Sequence, residues 1–164
     1  MQFKESTRKY ILLGLVLLIV VGIVSAQVLA SKQDEEFKYE DMLYQQANQL
    51  YQEGNNEEAS LFINELLLKQ PNSESANRLG GIIAAEKGDY NQAVILLQKT
   101  LDLNPHNVED PMFMIQFAEI LFFAAEYLES KIVLEKCREW GWSPEAYPDY
   151  QERVTELLNQ IENM

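Results

Sequence analysis

The chain has 164 residues, of which 47% are hydrophobic and 24% charged, and its formal net charge is −13. These values indicate one compact globular domain of ordinary character, and the acidic excess argues against nucleic acid as a partner. Cys137 is the only cysteine, which excludes an intrachain disulfide framework and a cysteine-rich metal site.

Residues 10–30 carry no charged side chain and form the first predicted element. As a helix, a segment of this length rises about 31 Å, which matches the apolar core of a bilayer. Lys4, Arg8 and Lys9 precede it, whereas the residues after it are mostly acidic. The positive-inside bias therefore predicts a single-pass signal-anchor in the cytoplasmic (inner) membrane. It places residues 1–9 in the cytoplasm and the rest of the chain on the extracytoplasmic side.

A cleaved signal peptide is the alternative interpretation of the same segment. Residues 11–24 are about as long as a long signal-peptide core, and "VSA" or "VLA" fits a cleavage site. Both interpretations export the rest of the chain. Small residues at multiples of four along one helical face, Gly14, Gly22, Ala26 and Ala30, leave self-association of the helix open.

A polar linker that can already be helical is predicted at 31–39, and a repeated pattern follows it. The repeated pairs, each 34 residues apart, are Gly54 and Gly88, Ala59 and Ala93, and Pro71 and Pro105. Glycine can adopt the left-handed conformation that ends a helix, and a helix seldom continues through the residue before proline. Asn55 and Asp89 then fit the N-caps of the following helices. The interval predicts two helical hairpins, at 40–73 and 74–107.

Small residues occupy the positions where the two helices of each hairpin should meet. Helix backbones can approach closely only where side chains are small, so we expect Ala47 to pack against Ala59 and Gly81 against Ala93. A helix–turn–helix unit of 34 residues with this pattern resembles the tetratricopeptide repeat (TPR). The resemblance covers most of the chain after the apolar segment.

The resemblance implies an all-α fold, in which an N-terminal transmembrane helix precedes a right-handed TPR α-solenoid. About three helical hairpins and a C-terminal capping helix are expected in the solenoid. Leu43 and Asn77 stand where the family has its signature tryptophan, as in divergent repeats.

A third, degraded copy is predicted at 108–144, with an offset of 37 from the second. The aligned pairs are Tyr127 with Tyr90, Ser130 with Ala93, and Cys137 with Thr100. The extra residues fit in "HNVEDP", where Asp110 can cap a helix begun by Pro111, and Ala118 takes the small position. This alignment favours Cys137 as a small core residue over a redox residue or ligand.

The segment 145–164 is predicted to form the capping helix. Its apolar residues at helical spacing are Val154, Leu157, Leu158 and Ile161. One apolar stripe opposite a polar face is what the last repeat needs to cover its inner surface.

By resemblance to the family, the first helix of each hairpin lines a concave groove that binds a protein or peptide. The residues expected to contact the partner are Tyr44, Asn48, Tyr51, Gln52, Arg78, Ile82, Met112, Ile115, Glu119 and Phe122. Other positions on the same face are Asp41, Gln45, Leu79, Glu86, Gln116 and Phe123. Only Asn48 matches the clamp with which some family members hold a partner's C-terminal carboxylates. We therefore expect mainly apolar anchors, with hydrogen bonds from Asn48 and Gln52.

The apolar run at 111–128 has two interpretations. Either the neighbouring helices bury it on both sides, or Met112, Phe122 and Phe123 remain exposed as a surface for a partner or the membrane.

No catalytic, metal-binding or cofactor-binding residues are predicted. His106 has no partner specified by spacing, and the sequence has no phosphate-binding loop. The chain resembles bacterial bitopic TPR proteins that assist secretion, cytochrome c maturation or envelope assembly. It is thus expected to be a non-enzymatic, membrane-tethered adaptor. A chaperone that holds newly translocated chains is the alternative, and a self-assembling structural protein is a third class.

Overall fold

A computed structural model describes residues 5–164, without the side chains of residues 5–8, 11–13, 17, 24 and 28. The described residues form seven α-helices and no strand. The helices are α1 (Glu5–Gln52), α2 (Asn56–Lys69), α3 (Glu74–Glu86), α4 (Tyr90–Leu103), α5 (Pro111–Phe123), α6 (Tyr127–Glu139) and α7 (Tyr150–Glu162). A short 3₁₀ helix, Pro105–Glu109, precedes α5. The chain divides into two compact units, one up to Met42 and one from Leu43 to Met164.

The first unit belongs to α1, the one helix in the described part that is long and apolar enough to cross a membrane. The described side chains of its apolar stretch are exposed. A retained anchor and a signal sequence both fit such a helix near the N-terminus. Residues 31–39, expected as a linker that can already be helical, lie within α1. Residues 1–4, in the expected cytoplasmic end, lie outside the described residues.

The second unit consists of three helical hairpins and a final helix. The first hairpin pairs residues 43–52 of α1 with α2, the second pairs α3 with α4, and the third pairs α5 with α6. The all-α solenoid of about three hairpins that the sequence predicts is therefore confirmed. In chain order, α7 follows the third hairpin and packs on both of its helices.

The close approach of helices through small side chains is confirmed. Ala47, Ala59 and Ala93 are all completely buried. A Cβ atom added at Gly81 would lie 2.7 Å from Cγ of Leu97, closer than Cβ atoms normally come to any neighbour. Only glycine therefore fits at this point of the second hairpin without rearrangement.

The turns within the hairpins have the predicted geometry. Gly54 and Gly88 have φ values of 78° and 81°, in the left-handed region that ends a helix. The side chain of Asn55 accepts a hydrogen bond from the first turn of α2, and Asp89 does the same for α4. In the third hairpin, Ala125 takes the corresponding place with φ of 63°, although alanine carries a Cβ atom.

Asn77, at the position of the family's signature tryptophan, holds a loop in place through hydrogen bonds. Its side chain is buried, and its amide nitrogen donates hydrogen bonds to the carbonyl oxygens of Pro71 and Ser73, at 2.9 and 2.7 Å. A small amide thus fastens the loop between the first two hairpins.

The third hairpin keeps the register of the second. Ser130 is buried at the position of Ala93, and its hydroxyl donates to the carbonyl oxygen of Ala118 over 2.8 Å. Cys137 and Thr100 are both completely buried, so the prediction of a core cysteine is confirmed. The extra residues form the 3₁₀ helix.

α7 covers part of α5. Its residues Val154, Leu157 and Leu158 are buried in one core cluster with most of α5. The hydroxyl of Tyr150 also donates to the carbonyl oxygen of Pro111 over 3.0 Å. The sequence left two interpretations of residues 111–128, burial or exposure. Seven residues of α5 are buried, whereas Met112 and Phe123 stay exposed.

Candidate peptide-binding groove

A pocket of about 520 Å³ lies between residues 43–52 of α1 and the helix α3. We call it the groove pocket. Its lining consists of Tyr44, Asn48, Tyr51, Glu74, Ser75, Arg78, Leu79 and Ile82. Five of the residues expected to bind a partner therefore surround one cavity. A volume of this size accommodates a few amino-acid side chains of a bound segment.

The helical register explains why these residues meet. Tyr44, Asn48 and Tyr51 follow one another at intervals of four and three on α1, and Arg78 and Ile82 are four apart on α3. Residues with such spacing share one face of a helix. The adjacent faces bury the core residues of the first two hairpins, which leaves this face for the groove.

The groove pocket combines apolar walls with hydrogen-bonding groups. Tyr44, Asn48 and Tyr51 are half-buried, so their polar atoms lie beside apolar surface. Burial, followed by the negative charge of Glu86, raises the pKa of Tyr51, and its phenol therefore remains a neutral donor near pH 7. The arrangement can hold an apolar side chain and hydrogen-bond the backbone of an extended segment.

Arg78 is the one basic residue in the lining of this pocket, and its charge is already paired. Its Nη2 atom lies 2.9 Å from Oδ2 of Asp110, and its guanidinium lies over the ring of Phe113, 5.1 Å from the ring centre. The other carboxylate oxygen of Asp110 accepts the backbone N–H groups of Met112 and Phe113 as the N-cap of α5.

The pKa of Asp110 reflects these contacts. Partial burial disfavours the charged form, but the hydrogen bonds from Phe113, Arg78 and Met112 and the charge of Arg78 outweigh it, so the pKa lies below the ordinary value. Asp110 is therefore ionised at neutral pH and keeps Arg78 in place.

Glu74 and Ser75 line the pocket, although sequence reasoning missed both. They lie in the first turn of α3, directly after its N-cap Ser73, and the family pattern marks only positions further along the helix. The carboxylate of Glu74 accepts hydrogen bonds from the side chains of Asn104 and Asn107, at 3.1 and 2.8 Å. The spacing could have identified Glu74, because it lies two turns before Ile82 on the same helix face.

The remaining predicted residues lie outside the groove pocket. Gln52 is exposed after Tyr51, and Met112 is 40% exposed at the start of α5. Phe122 is half-buried and packs edge-on against Phe123 and Tyr127. These three residues are not part of the pocket lining.

The third hairpin contradicts the expectation that Ile115 lines an open groove. Ile115 is 2% exposed and belongs to the core cluster that contains Leu157 of α7. Glu119 is held by α7 as well, because Nε of Arg153 lies 2.6 Å from its carboxylate. The final helix thus occupies the side of α5 that was expected to face a partner.

The thiol of Cys137 is enclosed by the same helix. Burial raises the pKa of this thiol. In the part of the chain that the structure describes, no group of three or more His, Cys, Asp or Glu side chains is placed to hold a metal ion.

No protein-family model matches the chain, and no curated protein is similar enough to count as a relative. Solved structures do share its fold. The type III secretion chaperone SycD of Yersinia enterocolitica, in complex with a peptide of the translocator YopD, has a TM-score of 0.60 and 21% identity, over 75% of this chain and 92% of SycD.

Two further structures carry the repeat in their names. The TPR domain of Sgt2 from Aspergillus fumigatus has a TM-score of 0.60 and 15% identity, over 76% of this chain and 80% of that domain. The TPR2B domain of yeast Sti1, in complex with pHsp70, has a TM-score of 0.58 and 13% identity, over 76% of this chain and 97% of that domain. With its three hairpins and capping helix, the chain therefore has the tetratricopeptide-repeat fold.

Proposed function

We propose that the protein is a non-enzymatic adaptor that binds a segment of a partner protein in the groove pocket. The observation that carries the proposal is the meeting of Tyr44, Asn48, Tyr51, Arg78 and Ile82 around one cavity of about 520 Å³. Among proteins of the same fold, SycD and the TPR2B domain of Sti1 are known in complex with a YopD peptide and with pHsp70. Those complexes support a peptide-binding role for this chain.

We further propose that residues 10–30 tether the repeats to the inner membrane, with the repeats on the extracytoplasmic side. The apolar helix and the basic residues before it support this arrangement. The adaptor would then help to assemble an envelope or secretion complex. The mass of the mature chain distinguishes a retained anchor from a cleaved signal peptide.

The double variant Tyr44→Ala with Asn48→Ala tests the binding site. Removing one aromatic wall and one amide should weaken partner binding about tenfold or more, because buried aromatic anchors dominate such interfaces. Helicity and melting temperature should change little, since both side chains are only half-buried. Photo-crosslinking from position 82 in cells should capture the partner in the parent chain and lose it in the variant.

The matched control carries Leu68→Ala with Asn91→Ala. Both residues are exposed on second helices of their hairpins and lie outside the groove pocket. This control should bind like the parent. Equal binding by the groove variant and the control would reject the proposed site.

A chaperone that holds newly translocated chains is the second candidate, and the structural likeness to the secretion chaperone SycD favours it. A stable partner in fixed ratio from a membrane extract supports the adaptor. Many weakly bound clients, together with suppression of aggregation by the segment 31–164, support the chaperone. The segment contains the whole compact unit from Leu43 onward.

A further inference from the structure

The one basic side chain in the lining of the groove pocket, Arg78, is neutralised by an acidic residue of the same protein. Arg78 would offer a carboxylate of the partner a charge-assisted hydrogen bond. Instead, its guanidinium is 2.9 Å from Asp110 and rests on Phe113, and its side chain and that of Asp110 are both only about one-third exposed, at 35% and 36%.

Asp110 is itself fixed and cannot easily leave Arg78. One of its oxygens holds Arg78 while the other accepts the N–H groups of Met112 and Phe113, so moving the carboxylate would also uncap α5. Losing an N-cap costs about 1 kcal/mol, apart from the loss of the ion pair. A partner carboxylate would have to compete with this pre-arranged one.

The other charged side chain in the lining is negative. The carboxylate of Glu74 is part of the lining, and Glu86 is close enough to Tyr51 to raise its pKa. Glu74 thus lines the pocket, and Asp110 and Glu86 act on the lining residues Arg78 and Tyr51, so three carboxylates stand against the single guanidinium of Arg78. A carboxylate brought by a partner would therefore meet net repulsion, whereas a lysine or arginine would be attracted.

We propose that Asp110 sets the charge specificity of the groove by holding Arg78. The groove then selects segments in which basic residues flank an apolar anchor, and it rejects segments with acidic flanks or a terminal carboxylate. This inference rests on the proposed function of the groove. It adds the chemical class of the partner and the residue that determines it.

The variant Asp110→Asn separates charge from structure. Asparagine is as good an N-cap as aspartate, so α5 should stay capped while Arg78 loses its counter-ion. The matched control is Asp89→Asn. Asp89 is the N-cap of α4 in the same chain, and neither it nor the hydrogen bond it accepts from Gln92 belongs to the groove pocket. Both variants change the net charge equally.

The probe is an array of acetylated and amidated nine-residue peptides, with varied leucine, isoleucine and tyrosine anchors and either lysine or glutamate flanks. Full-length protein in uncharged detergent micelles is applied, and only binding that Tyr44→Ala with Asn48→Ala abolishes is counted. The parent and Asp89→Asn should prefer lysine flanks. Asp110→Asn should shift this preference about fivefold toward glutamate, as expected for gaining one partly exposed ion pair. Adding Arg78→Gln should cancel the shift.

The outcomes separate this inference from the function on which it rests. Groove-dependent binding without a preference for lysine flanks, or without a shift in Asp110→Asn, overturns the role of Asp110 and leaves the groove function standing. Absence of any groove-dependent binding across the array rejects both.

Discussion

The second and third hairpins are built on one pattern, yet only one of them presents an open groove face. Arg78 and Ile82 of the second hairpin line the groove pocket. The positions 37 residues later are Ile115, which is buried, and Glu119, which is bound to Arg153. A position in the repeat therefore defines the direction of a side chain, whereas the next helix in the stack decides whether a partner can reach it.

The two hairpins differ because the third is the last in the stack and is covered by α7. α5 is apolar on most of its surface, and a helix of this kind is stable only when it is covered on several sides. Both α4 and α7 pack on α5, so the surface of α5 contributes to the stability of the fold. α3 can leave one face open because it packs on α2 and α4 and most of its apolar residues are buried there, while Leu79 and Ile82 also line the groove pocket.

Leu157→Ala should have the largest effect, because it weakens the cover that distinguishes the third hairpin. Leu157 is buried in the core that α7 shares with α5. Truncating it should destabilise the protein by about 2–5 kcal/mol, through lost burial and a remaining cavity. Urea denaturation of the segment 31–164 measures this change. Leu68→Ala, at a leucine that is 85% exposed, should stay within about 0.5 kcal/mol of the parent.

Ala93→Leu should break the close contact that orders the second hairpin. Ala93 is completely buried beside Gly81, and a larger side chain must push α3 and α4 apart. The expected loss is about 1–3 kcal/mol. Asn91→Leu places the same side chain on the exposed side of α4, where we expect little change. A stable Ala93→Leu protein would argue against the packing of this hairpin.

Ala125→Gly should have the smallest effect on the free energy of unfolding, and it tests whether the turn of the third hairpin is strained where that of the second is not. Gly88 ends α3 in the left-handed region, and Ala125 ends α5 in the same region despite its Cβ atom. Relief of this strain, reduced by the greater flexibility of glycine when unfolded, should stabilise the protein by about 0.5–1 kcal/mol. The neighbouring Ala124→Gly, at φ −76°, should instead destabilise it. Equal effects of the two changes would contradict the strain at Ala125.

Local rules were sufficient to predict most of the fold. Gly54 and Gly88 adopt the predicted left-handed turns, and Asn55 and Asp89 accept the predicted capping hydrogen bonds. Each of these features depends on residues within one turn of helix, so sequence spacing specifies it. The role of Asn77 is local as well, since its amide bonds the carbonyl oxygens of Pro71 and Ser73, but the family pattern, which has tryptophan there, gave no signal for it.

The candidate site was predictable only in part. Tyr44, Asn48 and Ile82 share helix faces that periodicity marks, and they meet in one pocket. Glu74 was missed because it lies in the first turn of α3, before the positions that the family pattern marks. Whether these residues bind a partner remains a prediction.

The amino-acid sequence alone determined the helical hairpins, their turns and their small contact residues, because each depends on steric and hydrogen-bonding limits that act over a few residues. Which faces stay open and which charges stay unpaired depends on tertiary packing. The burial of Ile115 under α7 and the pairing of Arg78 with Asp110 join residues about 30 to 40 positions apart. Such contacts depend on how whole helices stack, and no local pattern encodes that arrangement.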